Sequence, residues 1–492
     1  MTVEARATVR NAGLLVAQQG VNLASAFCFA TLVPRLMGPD IYGRYALVTS
    51  LSLWFVAASG LGFAPTVGRY IPQFAPESAH LKAFFGRLLT TRLLTGAVAA
   101  GLYLLLTTLW LHDLDPLVLA AMAGVIAVQA LSQLYFSLFL GLNQAARWGM
   151  GTVIRGWSSL VLVLPGFYLG GLRGACLGLL LAELVVLSAG VWWARASLAW
   201  PRPRTDLRGL TPYFRFWSVF FVNDLLFTAF QYSGPSMVRA ISGDYTQVAY
   251  FGAAYSVYRL IASLLPQLTL SFAPLLLSLL AAGQTRTIQD WVERLLKALA
   301  LVGVLIVFGV LLLGDDLVPA VLGAAYRPVV ANLLPLSLTA LALGLINMMR
   351  LLAVVYDQPG VVAKASGLRL VTFWGLGLPL VAWLGGVGGC LAVLIASVLH
   401  GLVATWRMRP VTVAYSLRSW ALVIALGGLL LPLVWLRASL AVNAALYGLF
   451  VAGYAALLLA FRAITPGEIA AIWQAVGVKG PRLKSGDGAE VL

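Results

Sequence analysis

Apolar runs long enough to cross a bilayer follow one another along almost the whole of this chain. A helix rising about 1.5 Å per residue needs about 20 residues to span a hydrocarbon core of about 30 Å. Such runs lie near 11–33, 43–64, 88–110, 117–140, 149–169, 173–194, 212–238, 248–279, 295–314, 330–354, 361–384, 387–406, 415–436 and 440–462. Folded in water, 492 residues would divide into several cores with charged surface between them. Here apolar residues make up 61% and charged residues only 10%, against about 25% charged in soluble domains. The pattern predicts an all-α polytopic membrane protein with about fourteen transmembrane helices: two pseudo-symmetric six-helix bundles plus two C-terminal helices.

The net charge of +16 would suggest nucleic acid in a soluble protein. In this chain the cations sit in short loops between apolar runs, which is the mark of membrane orientation and excludes a nucleic-acid partner. With the N-terminus placed in the cytoplasm, alternating crossings put 22 Lys and Arg on the cytoplasmic side and six (Arg35, Arg44, Arg173, Arg239, Arg327 and Arg437) on the other. The outer loops collect acids instead: Asp113, Asp115, Asp315 and Asp316. An odd number of helices would scramble that asymmetry, so both termini are expected in the cytoplasm. No cofactor, catalytic residue or metal is indicated. Cys28, Cys176 and Cys390 fall inside apolar runs, and His80, His112 and His400 are scattered.

The halves of the chain resemble each other. At a displacement of 214, Gln144/Gln358, Arg155/Arg369, Pro165/Pro379, Gly171/Gly385, Gly174/Gly388 and Cys176/Cys390 coincide. At a displacement of 204, Arg35-Leu-Met-Gly-Pro-Asp40 meets Arg239-Ala-Ile-Ser-Gly-Asp244. Both pair helix n with helix n+6, so the paired helices cross in the same direction and the repeat is parallel, an architecture of secondary carriers. The expected divisions are bundles at 1–194 and 212–409, a basic linker at 195–211, two extra helices within 410–465 and a cytoplasmic tail at 466–492. Segment 284–298 reads as a surface helix, with Asp290–Arg294 and Glu293–Lys297 four residues apart.

Ionisable groups inside spans cost about 2.5–3.5 kcal/mol each on insertion scales and need a partner or a wet cavity. Arg92, Arg155, Arg350 and Arg369 lie within about two turns of the cytoplasmic boundary. They suit either snorkelling to headgroups or a basic mouth for an anionic ligand. Arg259 lies near mid-depth, with Tyr255 on its face; its alternatives are an ion pair with Asp224 or an anion site. Gln18 and Asn22 on the first helix, Gln133 on the fourth and Asn223 on the seventh give polar faces. Such faces either bond between helices or line a wet central cavity, the expectation adopted here for Arg259, Tyr255, Asn22, Gln18, Asn223 and Gln133. The intramembrane acids, Glu183 and Asp224, are the candidates for a coupling carboxylate.

The stretch Arg35-Leu-Met-Gly-Pro-Asp-Ile-Tyr-Gly43 resembles the LGPxxYG turn of the polysaccharide transport family, which includes the O-antigen and exopolysaccharide repeat-unit flippases. Its superfamily also holds the multidrug and toxin extrusion proteins and the lipid II flippases. The resemblance implies a carrier, not an enzyme, that moves undecaprenyl-diphosphate-linked oligosaccharides across the bacterial inner membrane. Its implied partners are lipid-linked oligosaccharide, membrane lipid, and the polysaccharide polymerase and export machinery. The rivals are a multidrug or cation antiporter and a membrane polysaccharide polymerase. An antiporter would favour an acidic cavity, and a polymerase would carry a large extramembrane loop. A lipid II flippase is disfavoured by Gln18 and Gln19 where arginine is expected.

The topology has a direct check. Cysteines placed at Asp113 and at Arg204 should react oppositely with an impermeant thiol reagent on whole cells, the first labelled and the second protected. Labelling of both from outside would contradict an even count with cytoplasmic termini.

Overall fold

The computed structural model describes residues 3–60, 67, 70–74, 78–142, 144–198, 203–206, 209–210, 214–270, 272–463 and 465. Within them the side chains of Asn223 and Asp224, two of the predicted site residues, lie outside what is described, as does the tail beyond 465. Every regular element among the described residues is helical. The helices are α1 (Val3–Gly60), α2 (Ala79–Trp110), α3 (Pro116–Gly141), α4 (Ala145–Leu198), α5 (Phe214–Tyr232), α6 (Gly234–Ser242) and α7 (Tyr245–Leu270). They continue as α8 (Ala273–Ala281), α9 (Thr285–Leu322), α10 (Val329–Val355), α11 (Pro359–Leu384), α12 (Gly386–Met408), α13 (Arg418–Gly428) and α14 (Leu440–Ala460).

Ten helical stretches among the described residues are long and apolar enough to cross a membrane. Two of them, Gln18–Gly60 and Ala146–Arg195, are 43 and 50 residues long, about twice one crossing. Each breaks at glycine: at Gly38 (φ 71°, ψ 166°) in α1, and at Gly170 and Gly171 in α4. Counting these two twice and adding α5 and α7 gives fourteen crossings. Helix starts follow local chemistry. The Ser78 side chain accepts from the Leu81 amide at 3.2 Å, and Asp115 accepts from Leu117 at 2.9 Å just before Pro116.

Three spans, and the segment at 284–298, differ in detail from the sequence reading. The run 212–238 is two helices, parted at Ser233, because Pro235 has no amide hydrogen to continue the ladder. The run 248–279 is also two helices, α7 and α8. Segment 284–298 is no separate surface helix: nothing between Thr285 and Val302 interrupts it with glycine or proline, and it runs straight into the following span as α9. The span 415–436 tightens into a 3₁₀ turn at Leu431–Leu436, after Gly427-Gly428 and around Pro432.

By packing, the chain forms two compact units. The first holds Met1–Leu260, Val318–Leu336 and Ser366–Ala396; the second holds Ile261–Leu317, Ser337–Ala365 and Ser397–Leu492. In the first unit, Phe85, Leu88, Tyr135 and Phe139 of α2 and α3 are buried together, and Trp193 of α4 meets Phe136 edge-on. In the second, Met348, Met349 and Leu352 of α10 centre one cluster. Another joins α9, α13 and α14, with the Phe308 ring stacked on Phe450 at 3.8 Å.

The repeat is geometric as well as sequential. Gly171 and Gly385, 214 residues apart, both take a left-handed turn, with φ of 57° and 58°. Three residues on, a Cβ added at Gly174 would strike the carbonyl oxygen of Gly166, and one added at Gly388 would strike that of Leu380. Cys176 and Cys390 are both wholly buried. The sequence identities therefore mark one helical hairpin, made twice, whose arms touch through backbone.

Replacing Gly388 with leucine should lower thermal stability in detergent by about 2 kcal/mol, the scale of overpacking. Gly448→Leu, where an added Cβ meets nothing within 4 Å, should be close to neutral. Equal melting temperatures for the two variants would remove the close-contact account.

Candidate functional site

Tyr255, Tyr258 and Arg259 occupy positions i, i+3 and i+4 of α7 and so share a face. Opposite them lies the C-terminal turn of α5, with Phe230, Gln231 and Tyr232. The Tyr255 hydroxyl donates to Gln231 Oε1 at 2.8 Å. The Arg259 guanidinium lies over the Tyr232 ring, 5.2 Å from its centroid. From α11, the Arg369 guanidinium lies 3.7 Å from the centroid of Phe230 and donates to the Tyr258 hydroxyl. Phe373, one turn beyond Arg369, meets Phe230 edge-on at 5.3 Å. From α1, Tyr42 bonds Ser256 through its hydroxyl and lies within electrostatic reach of Arg259.

Four helices of the first unit thus bring two guanidiniums onto an aromatic floor. Burial there is graded. Tyr42, Tyr255 and Tyr258 are buried, while Arg259 and Arg369 are half-buried. Planar guanidinium stacks on aromatic faces and keeps its edge donors for a second partner. Among the described residues no carboxylate bonds Arg259. A site of this kind can take an oxyanion through the forks and present ring faces and amides to a polar, partly apolar ligand.

The other predicted residues go elsewhere. Arg155 donates to Glu183 Oε1 at 2.8 Å and Oε2 at 3.3 Å, and to Ser132 Oγ at 3.0 Å. The candidate mouth cation and the candidate coupling carboxylate are therefore one ion pair, joining the two arms of α4. Arg92 is 3% exposed and donates to Ser59 Oγ at 3.2 Å and to Gln133 Oε1 at 3.1 Å, so predicted cavity and mouth residues meet in a buried contact. Gln18 donates to the Ala146 carbonyl at 2.8 Å. Ser25 and Asn22 face Gly156, so the polar face of the first helix lies against α4. Arg350 is exposed on α10, in the second unit.

Sequence alone paired Tyr255 with Arg259 but left Arg369 near the surface. It missed Tyr42, Phe230, Tyr232 and Tyr258 as site residues. A signal existed for Tyr258, which stands beside Arg259 and three residues from Tyr255. Another existed for the Arg155–Glu183 pair: Arg155 lies fifteen residues before Gly170 and Glu183 twelve after Gly171, hence at similar depth on two arms.

The family described as "Polysaccharide biosynthesis protein" matches residues 8–279, more than half of the chain. The chain belongs to that family. No curated protein matches by sequence. Among solved structures, the lipid II flippase MurJ in an inward closed conformation superposes with a TM-score of 0.75 at 12% identity, covering 92% of this chain and 99% of its own. A multidrug resistance transporter in an outward-facing conformation gives 0.54 at 15% identity, with 81% and 94% covered. A superfamily transporter from Pyrococcus furiosus, described as having a binding pocket of reversed polarity, gives 0.51 at 14%, with 82% and 94% covered. At such identities the likeness establishes the fold alone, that of a multi-pass helical membrane protein.

The Arg155–Glu183 pair has its own test. Glu183→Gln should cost about 3 kcal/mol, since it strands a largely buried cation. Arg155→Met with Glu183→Leu should recover most of that loss in thermal unfolding and keep transport. A double variant that is stable but inactive would give the pair a role in coupling rather than in the fold.

Proposed function

We propose that this protein is a flippase that carries undecaprenyl-diphosphate-linked oligosaccharide repeat units from the cytoplasmic to the periplasmic leaflet of the bacterial inner membrane. Its termini lie in the cytoplasm, it supplies surface-polysaccharide synthesis, and it works by alternating access without catalysing a covalent step. The observation that carries this reading is the pair Arg259 and Arg369 set on Phe230, Tyr232, Tyr255 and Tyr258. Family membership and the shared fold with a lipid II flippase support it.

The chemistry fits each part of such a substrate. A diphosphate leaving water loses hydration that isolated ions pay heavily to give up. Two fixed guanidiniums offset that loss through charge-assisted bonds to phosphate oxygens. Gln231 and the tyrosine hydroxyls suit sugar hydroxyls, and the ring faces suit the apolar faces of pyranoses. The polyprenyl tail stays in lipid. Moving two negative charges outward against an interior-negative potential of about 100 mV is favourable by roughly 4–5 kcal/mol, which gives direction without a coupling ion. Export of organic cations, the activity suggested by the multidrug-transporter fold, would place acids where this site has arginines.

The test is a variant series at Arg259. Arg259→Ala should weaken binding of the lipid-linked sugar at least about tenfold, the lower end for a charged hydrogen bond, with membrane levels unchanged. Arg259→Lys should retain part of the activity, because it keeps the charge but not the fork. If Arg259 instead serves a buried pair with Asp224, Arg259→Ala should lower stability, and Arg259→Ala with Asp224→Ala should restore transport. Restored transport in that double variant would overturn the phosphate-site reading.

A further inference from the structure

The motif from Arg35 to Gly43 does not face the arginine–aromatic site, except through Tyr42. Most of it is spent on contacts between the two repeats at the opposite end from the linker. Gly43 lies flat against the backbone of Tyr245, the first residue of α7; a Cβ there would strike the Tyr245 carbonyl oxygen. Three residues further in, Ala46 meets Gly252, 3.3 Å from where its Cβ would be. The Tyr326 hydroxyl donates to the Pro34 carbonyl at 2.9 Å, and the Tyr42 ring packs edge-on against Tyr326 at 6.3 Å.

Charge closes the same seam. Asp113, in the turn after α2, accepts from the Tyr245 hydroxyl at 3.0 Å and from Arg239 at 3.4 Å, with Arg44 at 4.0 Å. The Tyr245 ring lies between two guanidiniums, 4.5 Å from Arg44 and 4.3 Å from Arg239. Arg44 and Asp113 belong to the first repeat, Arg239 and Tyr245 to the second.

The contacts obey the repeat. Arg35 and Arg239 are the equivalent arginines that follow the first helix of each half. Arg239 reaches across to Asp113, beyond the third helix of the first half. Arg35 reaches across to the carbonyls of Ala320 and Val321, at 2.9 and 3.3 Å, at the end of the third helix of the second. Each half thus sends one arginine to the same place on the other: one meets a carboxylate, its counterpart the negative end of a helix.

We propose that Asp113, Arg239, Tyr245 and Arg44, with the close contact at Gly43, form a two-part latch that holds the outer end of the transporter shut, and that transport requires it to open. This rests on the transporter reading and on the outer location of Asp113, but not on the identity of the substrate. Asp113 is 43% exposed, so each contact is modest. A latch built of several weak contacts shifts populations by small factors and can release once per cycle.

The test reads the latch without any substrate. Ala46→Cys is introduced with Cys28→Ser, and labelling by an impermeant maleimide is timed on whole cells. Tyr245→Phe, which removes one hydroxyl, should raise the labelling rate about threefold; Asp113→Asn with Arg239→Ala should raise it about tenfold. Gly43→Ala, which carries no change of charge, should raise it as well. Unchanged rates in the Phe variant and the double variant would overturn the polar latch, even if Gly43→Ala opens the seam. Should the double variant fail to reach the membrane, Tyr245→Phe alone decides. Export of lipid-linked sugar is no part of this readout, so a wrong substrate assignment would leave the labelling result standing.

Discussion

Lipid offers the backbone no hydrogen bonds and drives no apolar surface together. A chain in it must satisfy every peptide group within its own helices, and must hold those helices by something other than the hydrophobic effect. Much else in this structure follows from that constraint. Close approach replaces hydrophobic burial at Gly174 and Gly388, where helix meets helix through backbone. Large apolar side chains such as Leu169, Val371 and Trp383 remain exposed, as a surface wetted by acyl chains allows.

The same constraint makes each arginine inside the membrane a separate physical problem with its own solution. Arg155 is neutralised by Glu183 across the turn of α4. Arg92 lies among neutral acceptors, Ser59 and Gln133. Arg259 and Arg369 lie on aromatic rings. Around Arg259 and Arg369 stand the Tyr255 and Tyr258 hydroxyls and the Gln231 amide, the grouping on which the binding proposal rests. Two loop arginines are matched to acids: Arg173 to Asp115, and Arg437 to Asp315 at 2.8 Å.

Much of the fold was legible because hydropathy reports the solvent directly. Hydropathy placed most of the spans. Breaks inside spans were less legible, since they depend on single residues: Ser233 before Pro235, or the missing interruption between Thr285 and Val302. Gly385 alone separates α11 from α12 in a long apolar stretch, and it takes the same positive φ as its equivalent, Gly171. The site was legible in kind but not in membership. Depth along a helix can be counted from sequence, so Arg259 stood out. Which helix faces which cannot, so Arg369 was read as part of a cytoplasmic mouth, and Gln18 and Asn22 as cavity residues rather than partners of α4.

The hairpin made twice, at Gly171 and Gly385, says something about how such a chain could arise. Each repeat crosses an even number of times and therefore ends on the side where it began. Two copies of an ancestral gene could be fused in frame with only a short hydrophilic connector, without an extra crossing and without either copy inverting in the membrane. Arg155 and Arg369 stand at the same position of the two copies. In the fused chain the two copies no longer had to stay alike. Arg155 has a carboxylate partner on its own hairpin, whereas Arg369 lies on the Phe230 ring and donates to the Tyr258 hydroxyl.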